Sequence, residues 1–304
     1  MSTPVTVTAA ADTAATGTPR RRRTDRKARW MLGGSAGVLL FVALACFVGP
    51  RLMDPARGQQ ALGDRLTGPF WSDGAIDGRP LGTDNFGRDL LHRTLEGGQV
   101  SLQIAFLAAT GAVVVGMLLG LAAGFLGGWV DKLVTGLSDV WVAFPFLVIC
   151  LATVAVVGSD VWVLTGLLVL GGWVLPTKVT RTVAMRVRSE DYVAAARGAG
   201  ASNLYLVRTH VLPQVLPANL VVWSFTVGTL VIIEGALSFL GLGVRPPQAS
   251  WGSLLSDGRG FLETAWWISL WPGVLLVVTV VATNVLGTAL RRVWGTGSVD
   301  ERGA

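Results

Sequence analysis

Charge is scarce in this sequence. Only 14% of its 304 residues are Asp, Glu, Lys or Arg, against roughly 25% in an average soluble domain, which argues against a water-soluble globule. Cysteine is almost absent too. Cys46 and Cys150 both sit inside apolar runs with no metal-ligand spacing, so they read as packing residues. His92 and His210 have no His, Cys or carboxylate partner at metal-ligand spacing, so no metal or catalytic site is expected at either. No G-x-x-x-x-G-K-[ST] loop occurs, so the chain does not cradle ATP in the usual way. A nucleophile–base pair, a metal cluster and a cofactor loop are all missing, which disfavours a membrane enzyme. The net charge of +6 comes with no nucleic-acid recognition motif. Membrane orientation explains the basic residues better, and no nucleic-acid partner is expected.

Long apolar runs are abundant. About 20 helical residues cross a hydrocarbon core roughly 30 Å thick, and six runs qualify: 31–48, 101–126, 133–157, 161–177, 211–244 and 266–290. They predict an all-α membrane protein with six transmembrane helices. The fifth run exceeds the hydrocarbon thickness, so its end is expected to turn back near Gly241-Leu242-Gly243. A basic segment, an apolar run and Leu44-Ala45-Cys46 also resemble a lipoprotein signal peptide. The later runs favour a first span instead, and lipid labelling at Cys46 separates the two readings.

Counting Lys and Arg between the runs puts 17 on one side and 8 on the other, so the positive-inside rule predicts both termini in the cytoplasm. Residues 1–30 are then a disordered basic cytoplasmic tail and 293–304 a second cytoplasmic tail. Residues 49–100, with seven acidic side chains, form an extracytoplasmic segment, and 178–210 a cytoplasmic loop within a core of 101–292. Trp129, Trp162, Trp251, Trp266 and Trp267 fall near run ends and are expected as interface anchors in contact with lipid.

Within the cytoplasmic loop, Ser189 is a plausible cap, acids follow, and Gly198 is a plausible stop, which predicts a short helix. A second helix is expected from about Ser202 to just before Pro213. Ala194, Ala195, Ala196, Gly198, Ala199 and Gly200 form a run of small side chains flanked by Tyr192 and Arg197. Such a face admits close approach by another protein, although a helix lying passively against lipid fits the same composition.

Ala195-Ala196, then Gly200, then Leu212-Pro213 after a helix-length gap resembles the EAA signature of ABC importer permeases. The sequence departs from it at Ala194, where Glu is usual, and at His210, where Ile is common. The resemblance covers residues from about 30 to 292. Pro80-Leu81-Gly82-Thr83-Asp84-Asn85-Phe86-Gly87-Arg88-Asp89 looks like the segment before the second span of peptide-importer permeases. Asp139-Val140-Trp141-Val142-Ala143-Phe144-Pro145, Leu237-Ser238-Phe239-Leu240-Gly241-Leu242-Gly243, Pro246-Pro247 and Ser250-Trp251-Gly252 belong to the same pattern. The chain is similar to the OppC/DppC type of dipeptide and oligopeptide permease, an architecture that nickel permeases share.

The resemblance implies a type I ABC importer transmembrane domain in the plasma (inner) membrane of a prokaryote. It implies a second homologous permease subunit, two ABC ATPase subunits carrying ATP and Mg, and an extracytoplasmic substrate-binding protein, with no cofactor on this chain. Tyr192, Val193, Ala194, Ala195, Ala196, Arg197, Gly200, Leu212 and Pro213 are the implied ATPase-coupling residues. Asp139 and Glu234 are the only acidic or basic residues inside the predicted spans, where a charge costs at least ~2.5 kcal/mol. With the polar Asn284 they are candidates for the substrate pathway, and structural hydrogen bonding at helix contacts is the favoured alternative. Asp84, Gly87, Arg88 and Asp89 are candidates for docking the binding protein, against the blander reading of an internal Asp–Arg knot. An ion-coupled secondary transporter is the rival class. It would show internal repeats and intramembrane carboxylates, and no repeat is visible.

Overall fold

The computed structural model describes residues 20–294, with side chains from residue 26. The remaining parts of the predicted tails, 1–19 and 295–304, lie outside the described residues. Among the described residues the structure is helical, and the one extended pairing is an isolated bridge between Thr83 and Asp89.

The first helix, α1, is Arg20–Leu52. It begins within the stretch expected to be a tail, because Arg and Lys are good helix formers and the hydropathy run marked only its apolar part. An irregular segment with two 3₁₀ turns leads to α2, Leu90–Leu121, which continues as a π turn over Ala122–Leu126. Next come α3 (Gly128–Ala143) and α4 (Phe146–Val157), meeting at 81°. The run 133–157 is therefore a broken helix rather than a straight one. Pro145 drives Phe144 into an extended conformation, which ends α3.

A second bent pair, at 41°, is α5 (Val161–Gly172) and α6 (Val174–Arg188). Helix α6 runs well past the predicted end of the fourth run at 177, since Lys178, Arg181 and Arg186 lower hydropathy without disfavouring helix. The chain then forms α7 (Asp191–Gly198) and α8 (Asn203–Leu206). A π turn over Val207–Val211 joins α8 to α9, Leu212–Phe239, so the break expected before Pro213 does not occur. Pro213 lies in the first turn of α9, directly after the wider π turn, where its missing N–H is tolerated. Last come α10 (Trp251–Gly258) and α11 (Trp267–Val293).

Four helices among the described residues are long and apolar enough to cross a membrane, and six segments are if each bent pair counts as one span. Helix α9 ends where a turn was expected. Gly241, at φ 82°, allows the Leu242 N–H to reach the Leu237 carbonyl at 2.9 Å.

Helix α2 is the hub, packing on α1, α5, α6 and α9. Its approach to α6 depends on Gly116, Gly120 and Gly124, spaced by four along one face. A Cβ on Gly120 would stand 2.6 Å from both the Thr177 carbonyl oxygen and the Thr180 Cβ. Small residues at this spacing let helices pack backbone to backbone where lipid gives no hydrophobic drive. Cys46 and Cys150 are both buried in the main apolar core.

Candidate functional site

Helix α7 is held to one end of the bundle through a narrow seat. Val193 is 0% exposed and packs with Val187 of α6, Leu206 of α8, Val211, Val215 of α9 and Phe125, which together form a separate apolar cluster. Ala196, half-buried, rests on the same cluster. Every other member of the short helix from Ala194 to Arg197 is exposed. The helix ends at Gly198, as expected, and Gly200 supplies the left-handed turn that closes it. At φ 90°, Gly200 lets its own N–H bond the Arg197 carbonyl at 3.0 Å and the Ala201 N–H bond the Ala196 carbonyl at 3.1 Å. Ser189 belongs to the end of α6, its hydroxyl donating to the Arg186 carbonyl at 2.8 Å, and the residue preceding α7 is Glu190. That correction follows from the longer α6.

Beside this face, Ser202 caps α8 by accepting from the Tyr205 N–H at 3.3 Å, and Leu204 and Tyr205 are 77% and 53% exposed. Their exposure extends the patch from small side chains to two large apolar ones. The Tyr192 ring lies 5.5 Å from that of His210, which lies 6.1 Å from Tyr205. Gln214 donates to the Tyr192 hydroxyl at 3.0 Å. His210 therefore holds α7 to the α8–α9 junction. The structure thus brings Tyr192, Ala194, Ala195, Arg197 and Gly200 onto one exposed element and turns Val193 into the seat. Leu212, half-buried, and Pro213, exposed, begin α9 instead. Close by, Arg181 of α6 grips both carboxylate oxygens of Asp131 on α3, one of them at 2.7 Å, a fork that sequence spacing did not reveal.

At the opposite end, Asp84, Gly87, Arg88 and Asp89 form a knot at the entrance to α2. One Asp84 oxygen accepts the N–H groups of Phe86 and Arg88 at 2.8 and 2.9 Å, and the other accepts from the Arg88 guanidinium at 2.6 Å. Asp89 caps α2 through the Leu91 N–H at 2.9 Å and pairs with Arg57 at 3.3 Å. Gly87, at φ 75°, has no room for a side chain, since a Cβ there would overlap the Ala61 carbonyl. Asp84→Asn is expected to cost about 1.5 kcal/mol through loss of the charged bond, read as a lower apparent unfolding midpoint with the helix content retained.

The three candidate pathway residues share no partner. Glu234 is fully buried in α9, where Ser238 donates to Oε1 at 2.6 Å; Oε2 has no hydrogen-bond partner, and the Ser101 and Ser250 hydroxyls stand beside it. Asp139 is exposed and lies 3.5 Å from Lys178. Asn284 is exposed, and it bonds its own Val280 carbonyl at 2.8 Å instead of a neighbouring helix, because a helical carbonyl four residues back is always in reach.

Two of the tryptophans expected at the interface are core residues. Trp251 is 0% exposed, with Nε1 donating to the Thr94 carbonyl at 3.0 Å, and Trp267 is buried with Nε1 donating to Thr83 at 3.3 Å. Trp129, Trp162 and Trp266 are exposed. Trp251→Phe is expected to lose the indole hydrogen bond to Thr94 at a cost of about 1 kcal/mol, measurable by thermal unfolding in detergent. His92 also has an unforeseen neighbour: its Nδ1 lies 3.4 Å from Glu96, one helical turn on.

This arrangement defines a class: an all-α, multi-spanning membrane protein that presents a short helix, seated through Val193 and Tyr192, at one end of its bundle. Residues 116–295 match the family described as binding-protein-dependent transport system inner membrane component. The chain is 32% identical to the dipeptide transport system permease protein DppC of Alkalihalophilus pseudofirmus, over 88% of this chain and 85% of the relative. It is 36% identical to the di/tripeptide transport system permease protein DppC of Pseudomonas aeruginosa, over 86% of each. It is 31% identical to the probable D,D-dipeptide transport system permease protein DdpC of Escherichia coli, over 86% of this chain and 88% of the relative. An inward-facing structure of the MetNI methionine ABC transporter shares the fold, with a TM-score of 0.55, 19% identity, and coverage of 66% of this chain and 96% of the other. The chain belongs to the family of binding-protein-dependent transport system inner membrane components, and its fold is that of a type I ABC importer permease.

Proposed function

We propose that this chain forms half of the membrane pathway of an ATP-driven importer of dipeptides and oligopeptides. A second homologous permease supplies the other half, and two ATPase subunits bind at the α7 end and hydrolyse ATP with Mg. A binding protein delivers peptide at the end that carries residues 53–89. In this reading α7 and both termini are cytoplasmic, the membrane is the plasma membrane of a prokaryote, and the chain itself needs no cofactor.

The observation that carries the reading is the seat of α7. An eight-residue helix fixed through Val193, with Ala194 and Ala195 facing outward, is rigid on one side and accessible on the other. The α7 cluster includes Leu206, Val211 and Val215, which belong to the continuous helix Asn203–Phe239. A partner that moves α7 therefore moves the foot of a helix reaching the opposite end of the bundle. Transport then follows from the ATPase changing the angle of that helix. The family and the dipeptides and tripeptides for which the relatives are named support peptide as cargo.

The test is reconstitution of the complex in liposomes with its binding protein. Uptake of a labelled dipeptide or tripeptide is expected only with ATP inside and binding protein outside. Uptake of a nickel chelate alone would reassign the cargo. Peptide uptake driven by an ion gradient without ATP would sink the proposal.

A further inference from the structure

Three guanidinium groups from distant parts of the chain converge on one cavity. It has a volume of about 660 Å³ and lies between the 241–248 turn, α10 and the α4–α5 junction. Arg88 and Arg93 come from the start of α2, and Arg245 from the turn after α9. Asp257 is the one carboxylate in the lining, while Asp84 and Glu96 outside it pair with Arg88 and Arg93.

Those two ion pairs leave Arg245 as the cation of the three without a carboxylate partner among the described residues. Arg93 is 8% exposed, and although it reaches Pro247 and Glu96 at 3.3 and 3.4 Å, its buried Nε has no hydrogen-bond partner. A buried donor without an acceptor costs free energy, about 1–3 kcal/mol, and an anionic guest removes that cost. Asp257 reaches solvent at the cavity mouth, yet the surrounding wall removes part of its hydration and raises its pKa, with Arg88 and Arg93 opposing.

The remaining lining suits a guest with an organic body. Ser253, Ser256 and Gln248 offer polar contacts, and Phe86, Val154 and Val244 offer apolar wall. The volume falls within the range of roughly 300–1,000 Å³ typical of small-molecule pockets. Planar forked guanidinium groups match a carboxylate in shape as well as charge.

We propose that this cavity receives the C-terminal carboxylate of the peptide in transit, with Arg93 and Arg245 as its cationic contacts. The assignment rests on the peptide reading above. Arg88 keeps its place in the Asp84 knot and contributes charge.

The test uses the complete transporter in phosphatidylcholine nanodiscs without binding protein. The probe is a tripeptide bearing a diazirine on its C-terminal residue, and labelled positions are read by mass spectrometry after illumination. Labelling within 241–257 is expected, falling about tenfold in Arg245→Gln, the size of one lost charge-assisted bond. Arg93→Gln should lose at least as much, and the exposed Arg245 variant guards against a folding defect because its unfolding midpoint should not change. The same probe as a C-terminal amide should label about tenfold less. Equal labelling by acid and amide, or unchanged labelling in Arg245→Gln, overturns the assignment. Protection by inorganic phosphate as strong as by unlabelled tripeptide overturns it in favour of a general oxyanion site. ATP-driven uptake of the tripeptide is measured alongside with the binding protein. Uptake without labelling rejects the cavity assignment alone, whereas absence of uptake rejects the peptide reading beneath it.

Discussion

Replacing Ala195 with Trp is expected to abolish coupled uptake while leaving the permease folded. Ala195 is exposed on α7 and touches nothing in the cluster beneath, so the larger ring meets no intramolecular obstacle and the unfolding midpoint should stay at its wild-type value. Across the proposed contact the same ring separates two surfaces meant to approach backbone to backbone. The loss of a central contact costs about 2 kcal/mol or more, on the order of 30-fold in ATPase affinity. Two measurements decide the matter: retention of the ATPase subunits on size-exclusion chromatography, and uptake per ATP hydrolysed. Wild-type values of both would remove α7 from the coupling path. Ala196→Trp is the less clean variant. Ala196 is half-buried on the cluster, so its failure would mix misfolding with uncoupling.

Replacing Gly120 with Leu is expected to damage the packing of α2 on α6 severely. The first atom of the new side chain would lie 2.6 Å from the Thr177 carbonyl oxygen and 3.0 Å from the Arg181 backbone nitrogen. Neither is the movable end of a side chain. Helices α2 and α6 must part along their length, which breaks the register of Gly116 and Gly124 as well. Overpacking of this kind costs about 3 kcal/mol, expected as loss of monodisperse protein after extraction. A threshold control is Gly120→Ala, whose single methyl meets the same atoms without the branched bulk beyond. It should fall between wild type and Leu in apparent midpoint. Leu at wild-type stability would show that α2 and α6 do not pack as described.

Much of the fold was legible because crossing a bilayer imposes a local, additive demand. A run such as 266–290 is apolar residue by residue, and α11 follows from that alone. Helix ends were less legible. Hydropathy falls at Lys178 and at Arg29, but helical backbone continues on either side of them, because charge changes solvation far more than it changes helix propensity. The 81° corner after Ala143 was foreshadowed by Pro145, although a proline marks only that a helix must break and not at what angle.

The sites divide in the same way. Asp84, Gly87, Arg88 and Asp89 are close in sequence, so their knot was readable as a turn with its own ion pair. The tryptophans misled because position near a run end does not distinguish a ring facing lipid from one wedged between helices. Trp251 is wedged: its ring closes over Gly98, and its indole N–H reaches Thr94. The Gly116–Gly120–Gly124 stripe was not singled out from the sequence, and α6 lying against it is what identifies it as a contact face.

By itself the sequence determined that this chain lives in a bilayer as helices and that a short small-faced helix ending at Gly198 lies between two of them, since both follow from side-chain transfer energies and local backbone preference. Only the tertiary structure decided that Val193 is the seat and Ala195 the exposed face, and that Arg88, Arg93 and Arg245 share one cavity. Those are outcomes of packing between segments far apart in the chain, where the identity of a neighbour, and with it whether a side chain is anchor, contact or ligand, is set by geometry that no local pattern encodes.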